Sequence, residues 1–397
     1  MAKKTLRDVE LKGKTVLMRV DFNVPISNGE IKDDNRITQA LQSINYVVDE
    51  GAKLILMSHL GRPGGEPSDK FSLEPVANHL KTLVDVPVHF AKDCIGEEAD
   101  KVIKAAKEGE IVLLENVRFH PEEKENDPEF AKKLAAHADL FVNDAFGSSH
   151  RAHASVSGVT EFLQPAVSGF LLEKEIQYLE ESVNNPKRPF IAILGGAKVS
   201  DKIGVIETLL TKVDTIIIGG GMAYTFFRAN GHTIGDSLVE EDKVPMAKDL
   251  MEKAKKAGVK FMLPMDTVVA QEFKNDAEYK VVGEGGIEDG WMGLDIGPES
   301  SLSFSNHIKN AKTVLWNGPM GVFEMENFAD GTNTVAQALV EATKFGATTI
   351  IGGGDSASAI KKAGLQDQVS HVSTGGGASL EYLEGKELPG VTSLTDK

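Results

Sequence analysis

The chain has 397 residues and a formal net charge of −16, with 41% hydrophobic and 26% charged residues. This length predicts two domains, and the acidic balance argues against nucleic-acid binding, which needs basic residues to displace counterions. The N-terminal stretch has no apolar signal-peptide core, no stretch approaches a membrane span, and the single cysteine, Cys94, cannot form an internal disulfide. We therefore expect a cytoplasmic protein that contacts neither membranes nor nucleic acids.

Short apolar runs alternate with amphipathic stretches through the first half of the chain. The apolar runs predict buried strands at 15–20, 53–58, 111–116 and 139–144. Helical periodicity lies between them, near 37–50, 74–84, 98–108 and 129–138. Strands that alternate with helices are typical of parallel sheets covered by helices on both faces.

The second half repeats this rhythm. Strands are predicted at 189–194, 214–219, 259–264, 313–318 and 348–353, with helices near 200–212, 243–257 and 331–345. Between the halves, Leu172, Ile176, Leu179 and Val183 form one helical stripe that ends before Asn-Asn-Pro. We therefore predict an α/β protein with two doubly wound, Rossmann-like domains: residues 1–170, a hinge helix over 171–185, and residues 186–382.

Glycine-rich turns follow four strand-like runs of the second half and lead into helical sequence. They are Gly195-Gly196, Gly219 to Gly221, Gly352 to Gly354 and Gly375 to Gly377. Each alone could be a tight turn between a strand and a helix. Together at one edge of a sheet, their backbone N–H groups favour a nucleotide site.

The turn "AILGGAKVSDKIG" (192–204) has two lysines, Lys198 and Lys202, beside its glycines but lacks the P-loop spacing. In "GGGDSA" (352–357), Asp355 would face a pyrophosphate unfavourably if the ligand were a nicotinamide dinucleotide. The same carboxylate suits Mg²⁺, which prefers one or two carboxylates together with phosphate oxygens. The charges therefore favour a metal-bound nucleotide.

Basic side chains concentrate after the predicted strands of the first half. The chain has eight arginines, and six of them precede residue 152. Arg19, Asp21 and Asn23 alternate at the end of the first strand, which predicts that they share one face. Other loops supply Arg36, at a helix start capped by Asn35, and His59, Arg62, Arg118 and Arg151. Arginine binds phosphate and carboxylate through two parallel hydrogen bonds, so this set predicts an anion cradle.

Four alternatives remain open at this point. His150 and His153 have the spacing of a metal pair but lack an evident third ligand, and packing is a better interpretation of Cys94 than catalysis. The domain pattern also suits a nicotinamide dehydrogenase, although no strict G-x-G-x-x-G is present. A two-domain binding protein without catalysis would share the layout but leave the lysines and Asp355 without a role.

The ordered motifs resemble those of phosphoglycerate kinase over essentially the whole chain. They are TVLMRVDFNVP, SHLGRP, LLENVRF, NDAFGSSHRAHAS, GFLLEKEI, ILGGAKVSDKI, IIIGGGMA, GLDIGP, WNGPMGVFE, IIGGGDSA and STGGGASLE. Met320 stands where some members of that family have a second proline. The resemblance implies reversible transfer of the acyl phosphate of 1,3-bisphosphoglycerate to ADP, giving ATP and 3-phosphoglycerate. It further implies a monomer that uses Mg²⁺ with ATP or ADP and closes its two domains, with the substrates on facing sides of a cleft.

The resemblance also implies roles for individual residues. The triose acid would be bound by Asp21, Asn23, Arg36, His59, Arg62, Arg118 and Arg151, with Arg36 also near the transferring group. The nucleotide would be bound by Lys198, Lys202, Gly293, Glu324, Gly353, Gly354, Asp355 and Ser356, with Asp355 as the metal ligand. Gly375 and Gly376 would join Arg36 and Lys198 in stabilising the moving phosphoryl group. The C-terminal segment 383–397 would return to pack on the first domain.

Overall fold

The computed structural model describes residues 2–284 and 286–397, which form two compact units. The first unit contains the chain up to Gln177 together with Glu387–Lys397, and the second is Tyr178–Lys386. Each unit is built on a parallel sheet whose strands are connected through helices, which confirms the predicted doubly wound α/β class. Within the described part of the chain, no helix combines the length and apolar character that a membrane crossing requires.

The first unit has a parallel sheet with the strand order β5-β6-β4-β1-β7-β8, and β2 and β3 form a separate antiparallel hairpin. Its strands are β1 Thr15–Arg19, β2 Ile26–Ser27, β3 Glu30–Ile31, β4 Lys53–Met57, β5 Val88–Ala91, β6 Ile111–Leu114, β7 Leu140–Asn143 and β8 Ala166–Ser168. Its helices are α1 Asn35–Asp49, α2 Glu74–Leu80, α3 Gly96–Ala105, α4 Glu122–Glu125 and α5 Pro128–Ala135, followed by α6 Phe170–Asn184, which contains the boundary between the units.

The second unit has a parallel sheet in the order β12-β10-β9-β17-β18-β19. A smaller antiparallel sheet has the order β14-β13-β16, and β11 pairs with β15. The strands are β9 Phe190–Leu194, β10 Thr215–Ile218, β11 Thr233–Ile234, β12 Lys260–Met262, β13 Asp266–Ala270, β14 Tyr279–Gly283, β15 Gly286–Ile287, β16 Met292–Ile296, β17 Thr313–Asn317, β18 Thr348–Gly352 and β19 His371–Val372. The helices are α7 Ile203–Leu209, α8 Met222–Ala229, α9 Val244–Ala257, α10 Pro298–Lys309, α11 Asp330–Lys344, α12 Gly354–Lys362 and α13 Gly377–Leu383.

The C-terminal segment lies against the first unit and contains the last helix, α14 Pro389–Thr392. The backbone N–H of Thr395 donates to the carbonyl of Ala166 in β8 at 2.8 Å, and its carbonyl accepts from the N–H of Lys4 at 2.9 Å. The ammonium of Lys3 forms an ion pair with Asp396 at 2.9 Å. The two ends of the chain are therefore held together beside β8.

The central strands are mostly apolar and buried, because helices and neighbouring strands cover them. Val16 of β1 is paired with Leu54 of β4, and all four of β1's residues after Thr15 are buried. In the second unit, every residue of β9 and β17 is buried, including Trp316. Each large apolar side chain removed from water in this way contributes about 1.5–3 kcal/mol to folding.

All nine predicted strands are present. The short strands β5 and β8 and the helix α10 were not predicted. The antiparallel sheet was also missed, since β14 alternates between exposed and half-buried residues rather than forming an apolar run. The capping prediction for Asn35 was wrong: Asp34 holds the N-cap position and Asn35 is the first helical residue. The turn at Gly195-Gly196 does not open a helix directly, because α7 begins only at Ile203.

Candidate active site

Parallel strands bring the predicted anion cradle together in the first unit. The strands β6, β4, β1 and β7 are neighbours in the sheet, so their carboxyl ends lie along one edge. The candidate residues lie in the segments that follow these strands, and Arg36 lies in the first turn of α1. We use the term anion cradle for Asp21, Asn23, Arg36, His59, Arg62, Arg118 and Arg151.

Direct hydrogen bonds connect several members of the cradle. Nη1 of Arg36 donates to Oδ1 of Asp21 at 3.0 Å and to the carbonyl of Asn23 at 3.2 Å. The backbone of Gly61 links two more: its N–H donates to Oδ1 of Asn23 at 2.8 Å, and its carbonyl accepts from Nη1 of Arg118 at 2.9 Å. The loops after β1, β4 and β6 are thus fixed relative to one another.

Two arginines of the cradle are exposed. Arg62 directly follows Gly61, and no hydrogen bond or ion pair joins it to any residue that the structure describes. Nε of Arg151 donates to Nε2 of His150 at 3.1 Å. Arg151 lies near enough to Arg118 to act on it electrostatically, so both belong to one field of positive charge.

This field changes the acid–base behaviour of the cradle. Burial and the nearby charges of Arg19 and Arg151 lower the pKa of Arg118 to about 10, and its Nε is buried without a partner among the described residues. For Asp21, burial opposes ionisation, but the charges of Arg36 and Arg19 and the backbone N–H of Asn23 outweigh it and hold the pKa below its ordinary value. The cradle therefore has more cationic side chains, all of them arginines, than carboxylates, as a site for an anion requires.

The two histidines with metal-pair spacing do not form such a pair. Nε2 of His150 accepts from Arg151, and Nδ1 of His153 lies 3.7 Å from Oε1 of Glu123. Burial, followed by the charges of Arg118, Arg19 and Arg151, lowers the pKa of His153 to about 4. Cys94 is buried, and burial raises the pKa of its thiol well above the ordinary value, which favours a packing role.

A polar cavity of about 590 Å³ lies in the second unit at the carboxyl ends of β9, β17 and β18. It contains both predicted lysines, Lys198 and Lys202. Its other lining residues are Gly195, Gly196, Ala197, Asp201, Asn317, Gly318, Gly353, Gly354, Asp355, Ser356, Gly376, Gly377, Leu380, Glu381, Glu384 and Lys386. We call this space the polar cavity.

A second space of about 490 Å³ adjoins it and has a more apolar lining, so we call it the apolar cavity. Gly293 and Glu324 line it, as do Gly220, Gly221, Tyr224, Asp236, Leu238, Phe273, Met292, Leu294, Pro319, Gly321 and Val322. Gly196, Ala197 and Asp355 line both cavities. A ligand with one apolar and one anionic part can therefore extend from one cavity into the other.

Two glycines allow the loops between these cavities to approach closely. Gly220 has a φ of 69°, and a Cβ on it would lie 2.6 Å from backbone atoms of Gly196. Gly318 has a φ of 107°, and a Cβ on it would collide with the backbone of Gly195. Only glycine satisfies both the left-handed conformation and the close approach.

Lys198 and Lys202 differ in environment. Lys198 is exposed at the polar cavity. Lys202 is 8% exposed and donates to Oδ1 of Asn317, while Nδ2 of Asn317 is buried without a partner among the described residues. Burial lowers the pKa of Lys202, against the opposing charges of Asp201, Asp355 and Glu384. Sequence reasoning missed Asn317, and its place at the end of the β17 strand is the signal that could have identified it.

The predicted glycine and serine residues occupy different positions at this site. Gly353 and Gly354 line the polar cavity, and Ser356 lines it as well while its Oγ accepts from the N–H of Gly318 at 2.6 Å. Gly376 lines the cavity, whereas Gly375 is buried and its N–H donates to Oγ of Ser373 at 3.0 Å. That hydrogen bond would have to break before Gly375 could donate to a ligand.

The position of Asp355 fits a hard divalent cation. Its carboxylate is exposed in the first turn of α12, where the two cavities meet, and it forms no ion pair within the described residues. A single carboxylate beside a phosphate site leaves most coordination positions to phosphate oxygens and water, which is how Mg²⁺ is usually held.

Comparison with known proteins agrees with this geometry. The family model for phosphoglycerate kinase matches residues 6–386. Phosphoglycerate kinase of Chloroherpeton thalassium is 59% identical over 396 residues and covers 100% of both chains, and the cytosolic phosphoglycerate kinase of Triticum aestivum is 58% identical over 99% of this chain and 98% of its own.

Solved structures give the same result. Phosphoglycerate kinase from Coxiella burnetii superimposes with a TM-score of 0.88 at 41% identity and covers 100% of both chains. The enzyme from Pyrococcus horikoshii has a TM-score of 0.86 at 32% identity over 98% of each chain. Because sequence and fold agree over the whole length, this chain belongs to the phosphoglycerate kinase family.

Proposed function

We propose that the anion cradle binds the triose acid, and the polar and apolar cavities bind the nucleotide, in the phosphoglycerate kinase reaction of this chain. That reaction reversibly transfers the acyl phosphate of 1,3-bisphosphoglycerate to ADP and yields ATP and 3-phosphoglycerate. The observation that carries the assignment is the junction of the two cavities at Gly196, Ala197 and Asp355. A nucleoside diphosphate has the required apolar base and anionic tail.

Each cradle residue receives a role from its chemistry. Arg62, Arg118 and Arg151 supply positive charge for the phosphate and carboxylate of the triose acid, with His59 and Asn23 as neutral partners. Asp21 orients Arg36 through their 3.0 Å hydrogen bond. Arg36 then also reaches the transferring phosphoryl group.

The nucleotide residues divide between the two cavities. In the polar cavity Lys198 and Lys202 meet the phosphates, beside Gly353, Gly354 and Ser356. In the apolar cavity Gly293 lies by the base and Glu324 reaches the ribose. Gly375 and Gly376 precede α13 and direct its first turn toward the moving phosphoryl group.

The chemistry requires alignment and charge stabilisation rather than proton transfer. In the ATP-consuming direction the nucleophile is a carboxylate that is already ionised at neutral pH, so no protein base is needed. Arg36 and Lys198 can stabilise the negative charge of the phosphoryl group as it moves. This accounts for a site that is rich in cationic side chains.

Asp355 would hold the divalent cation, which we propose to be Mg²⁺. When bound, that cation neutralises negative charge on the nucleotide phosphates. The carboxylate of Asp355 also acts on the buried ammonium of Lys202, so the two side chains together balance the charge of the polar cavity.

Because the two substrates are assigned to different units, direct transfer requires both units to contribute to one reaction. We propose domain closure around the helix α6, within the hinge predicted at 171–185, between domains over 1–170 and 186–382 with segment 383–397 returning to the first. Closure would exclude water from the transfer. We further propose a cytoplasmic monomer that binds neither nucleic acid nor membrane; the cytosolic relative from Triticum aestivum supports the location.

Equilibrium dialysis separates this proposal from a nicotinamide-dependent enzyme. The protein should bind Mg-ADP and not NADH, and Leu238→Glu, which places a charge in the apolar cavity, should weaken ADP binding about tenfold or more. Leu302→Glu is the matched control, because Leu302 is also exposed but lines neither cavity. Binding of NADH, or equal ADP affinity in both variants, would contradict the nucleotide assignment.

A further inference from the structure

A chain of hydrogen bonds extends inward from the anion cradle to a buried acid. Oε1 of Glu123 accepts from Oγ of Ser155 at 2.6 Å, and Oγ of Ser155 accepts from Nε of Arg19 at 2.8 Å. Nη2 of Arg19 lies 3.2 Å from Nδ1 of His59. Glu123, Ser155 and Arg19 are fully buried, and His59 is 5% exposed. We call Glu123, Ser155 and Arg19 the buried relay.

The direction of every hydrogen bond in the relay is fixed by chemistry. A guanidinium has only donors, so Arg19 must donate to both Ser155 and His59. The hydroxyl hydrogen of Ser155 then points to the carboxylate of Glu123, which accepts it. Since Nδ1 of His59 is an acceptor, the proton of the neutral imidazole is on Nε2. None of the residues 2–284 and 286–397 hydrogen-bonds to Nε2, so this N–H is available to a ligand.

Burial and the neighbouring arginines keep the ring of His59 neutral. Burial is the largest cause that lowers its pKa well below the ordinary value, and Arg19, Arg118 and Arg36 act in the same direction, against Asp21. Protonation of Nδ1 would also set two donors against each other at Arg19. His59 therefore contributes a hydrogen-bond donor to the cradle without adding charge.

Glu123 makes a buried guanidinium tolerable at this position. Burial lowers the pKa of Arg19, and the charges of Glu123 and Asp21 oppose that effect. An unpaired buried charge is costly in free energy. Ser155 joins the two charged groups, because its hydroxyl accepts from Arg19 and donates to Glu123. Glu123 is fixed in turn, because its Oε2 accepts from the backbone N–H of Ser155 at 2.8 Å.

We propose that Glu123, Ser155 and Arg19 are positioning residues that hold His59 as the neutral Nε2–H tautomer, so that it donates a hydrogen bond to the anionic substrate. This inference rests on the proposed function of the anion cradle. It adds a reason for placing a neutral ring within the anion cradle: the N–H of His59 recognises an oxygen of the substrate by direction rather than by charge.

The tautomer is measured directly with histidine labelled with ¹⁵N in the side chain, with His59 assigned by its loss in His59→Gln. In the unmodified protein at pH 7, Nε2 should carry the proton and Nδ1 should not. Ser155→Ala cuts the relay, so both tautomers of His59 should become populated. The KM for 3-phosphoglycerate should rise about 3- to 10-fold, as for the loss of one hydrogen bond, with the KM for ADP unchanged.

Ser148→Ala is the matched control. Ser148 is 3% exposed and its Oγ has no hydrogen-bond partner in the described chain, so this variant should keep both the ¹⁵N shifts and the KM. A wild-type His59 that carries its proton on Nδ1, or that is charged at pH 7, would overturn the proposal. Unchanged ¹⁵N shifts in Ser155→Ala would do the same.

Addition of 3-phosphoglycerate separates this proposal from the function on which it rests. Binding at the cradle should shift the Nε2 resonance of His59 in the unmodified protein. If the tautomer and its response to Ser155→Ala are as expected but 3-phosphoglycerate shifts nothing, the relay is supported and the substrate assignment of the cradle is overturned.

Discussion

The carboxylate of Asp21 holds the guanidinium of Arg36 through a hydrogen bond of 3.0 Å between Oδ1 and Nη1. Asp21 follows β1 and Arg36 lies in the first turn of α1, so this contact fixes the helix relative to the end of the strand. The side chain of Arg36 is one-third exposed, and its other donors form no hydrogen bond with any residue that the structure describes, so they can turn to a ligand. Asp21 therefore acts on substrate binding through Arg36 as well as by itself.

Replacing Asp21 with asparagine should loosen Arg36 without changing the size of the side chain. We expect the KM for 3-phosphoglycerate to rise about 3- to 10-fold, because the guanidinium of Arg36 then has a neutral amide oxygen as its acceptor instead of a carboxylate and is held more weakly. Steady-state kinetics at saturating Mg-ATP measures this. Glu30→Gln is the control, since it breaks the exposed 2.8 Å ion pair with Lys32 in the nearby hairpin and should leave KM unchanged. Equal kinetics in both variants would remove Asp21 from the cradle.

Lys198→Ala should reduce kcat far more than it changes KM. Lys198 is exposed at the polar cavity, and its charge is assigned to the phosphoryl group in the transition state. Removing such a charge typically costs about 10²- to 10³-fold in kcat. Lys256→Ala, on the exposed face of α9 and outside both cavities, is the control and should keep full activity. An unaltered kcat in Lys198→Ala would exclude Lys198 from the transition state.

Gly293→Ala tests the apolar cavity, because a Cβ at this position would collide with the hydroxyl and ring of Tyr224. Displacement of Tyr224 into the cavity should raise the KM for ADP about tenfold, within the 1–3 kcal/mol cost of overpacking, while the KM for the triose substrate stays the same. Gly283→Ala in β14 is the matched control, since its Cβ would meet nothing within 4 Å. If both variants bind ADP normally, the base does not occupy this cavity.

Asp144 should make the stability of the protein depend on pH in an unusual direction. Its Oδ1 accepts from the backbone N–H groups of Leu171 and Leu172 at the start of α6, but burial outweighs these bonds and raises its pKa to about 6. Because the folded pKa is above the unfolded value of 3.8, the stabilisation is fully present only below that value and is lost as pH rises from there through about 6.

Asp144→Asn removes this titration. The free energy of unfolding of the wild type minus that of the variant should therefore fall by about 2.5 kcal/mol between pH 4 and pH 7.5, which is most of the effect that a shift of about two pKa units implies. Urea unfolding at both pH values measures it. A difference that is constant, or that grows with pH, would show that the carboxyl of Asp144 is not raised in the folded protein.

The sequence predicted best what depends on residues close together in the chain. The apolar runs predicted the parallel strands. Because the carboxyl ends of parallel strands lie along one edge of a sheet, the segments around Asp21, His59 and Arg118 were then expected at the same edge. Arg19 was predicted only to share one face of the strand end with Asp21 and Asn23. Its complete burial was not predicted, because the partners that make it possible, Ser155 and His59, lie far away along the chain.

Long-range polar contacts explain what the sequence did not predict. Glu123 lies in a run of charged residues that is typical of a solvated helix, and only its contact with Ser155, 32 residues away, explains its burial. Asn317 meets Lys202 across 115 residues. No periodicity or local motif encodes such pairs, whereas the short-range cap at α1 was misplaced by one residue because Asp34 and Asn35 are both good capping residues.

The most direct test of the account is a steady-state assay with ATP, Mg²⁺ and 3-phosphoglycerate. Formation of the acyl phosphate is followed through glyceraldehyde-phosphate dehydrogenase as loss of NADH absorbance. We predict turnover that requires both substrates and is abolished in Arg36→Ala, which would establish the cradle, the nucleotide cavities and their coupling together. Folded protein that binds Mg-ADP but shows no turnover would contradict the cradle assignment, and full activity of Arg36→Ala would remove Arg36 from the reaction.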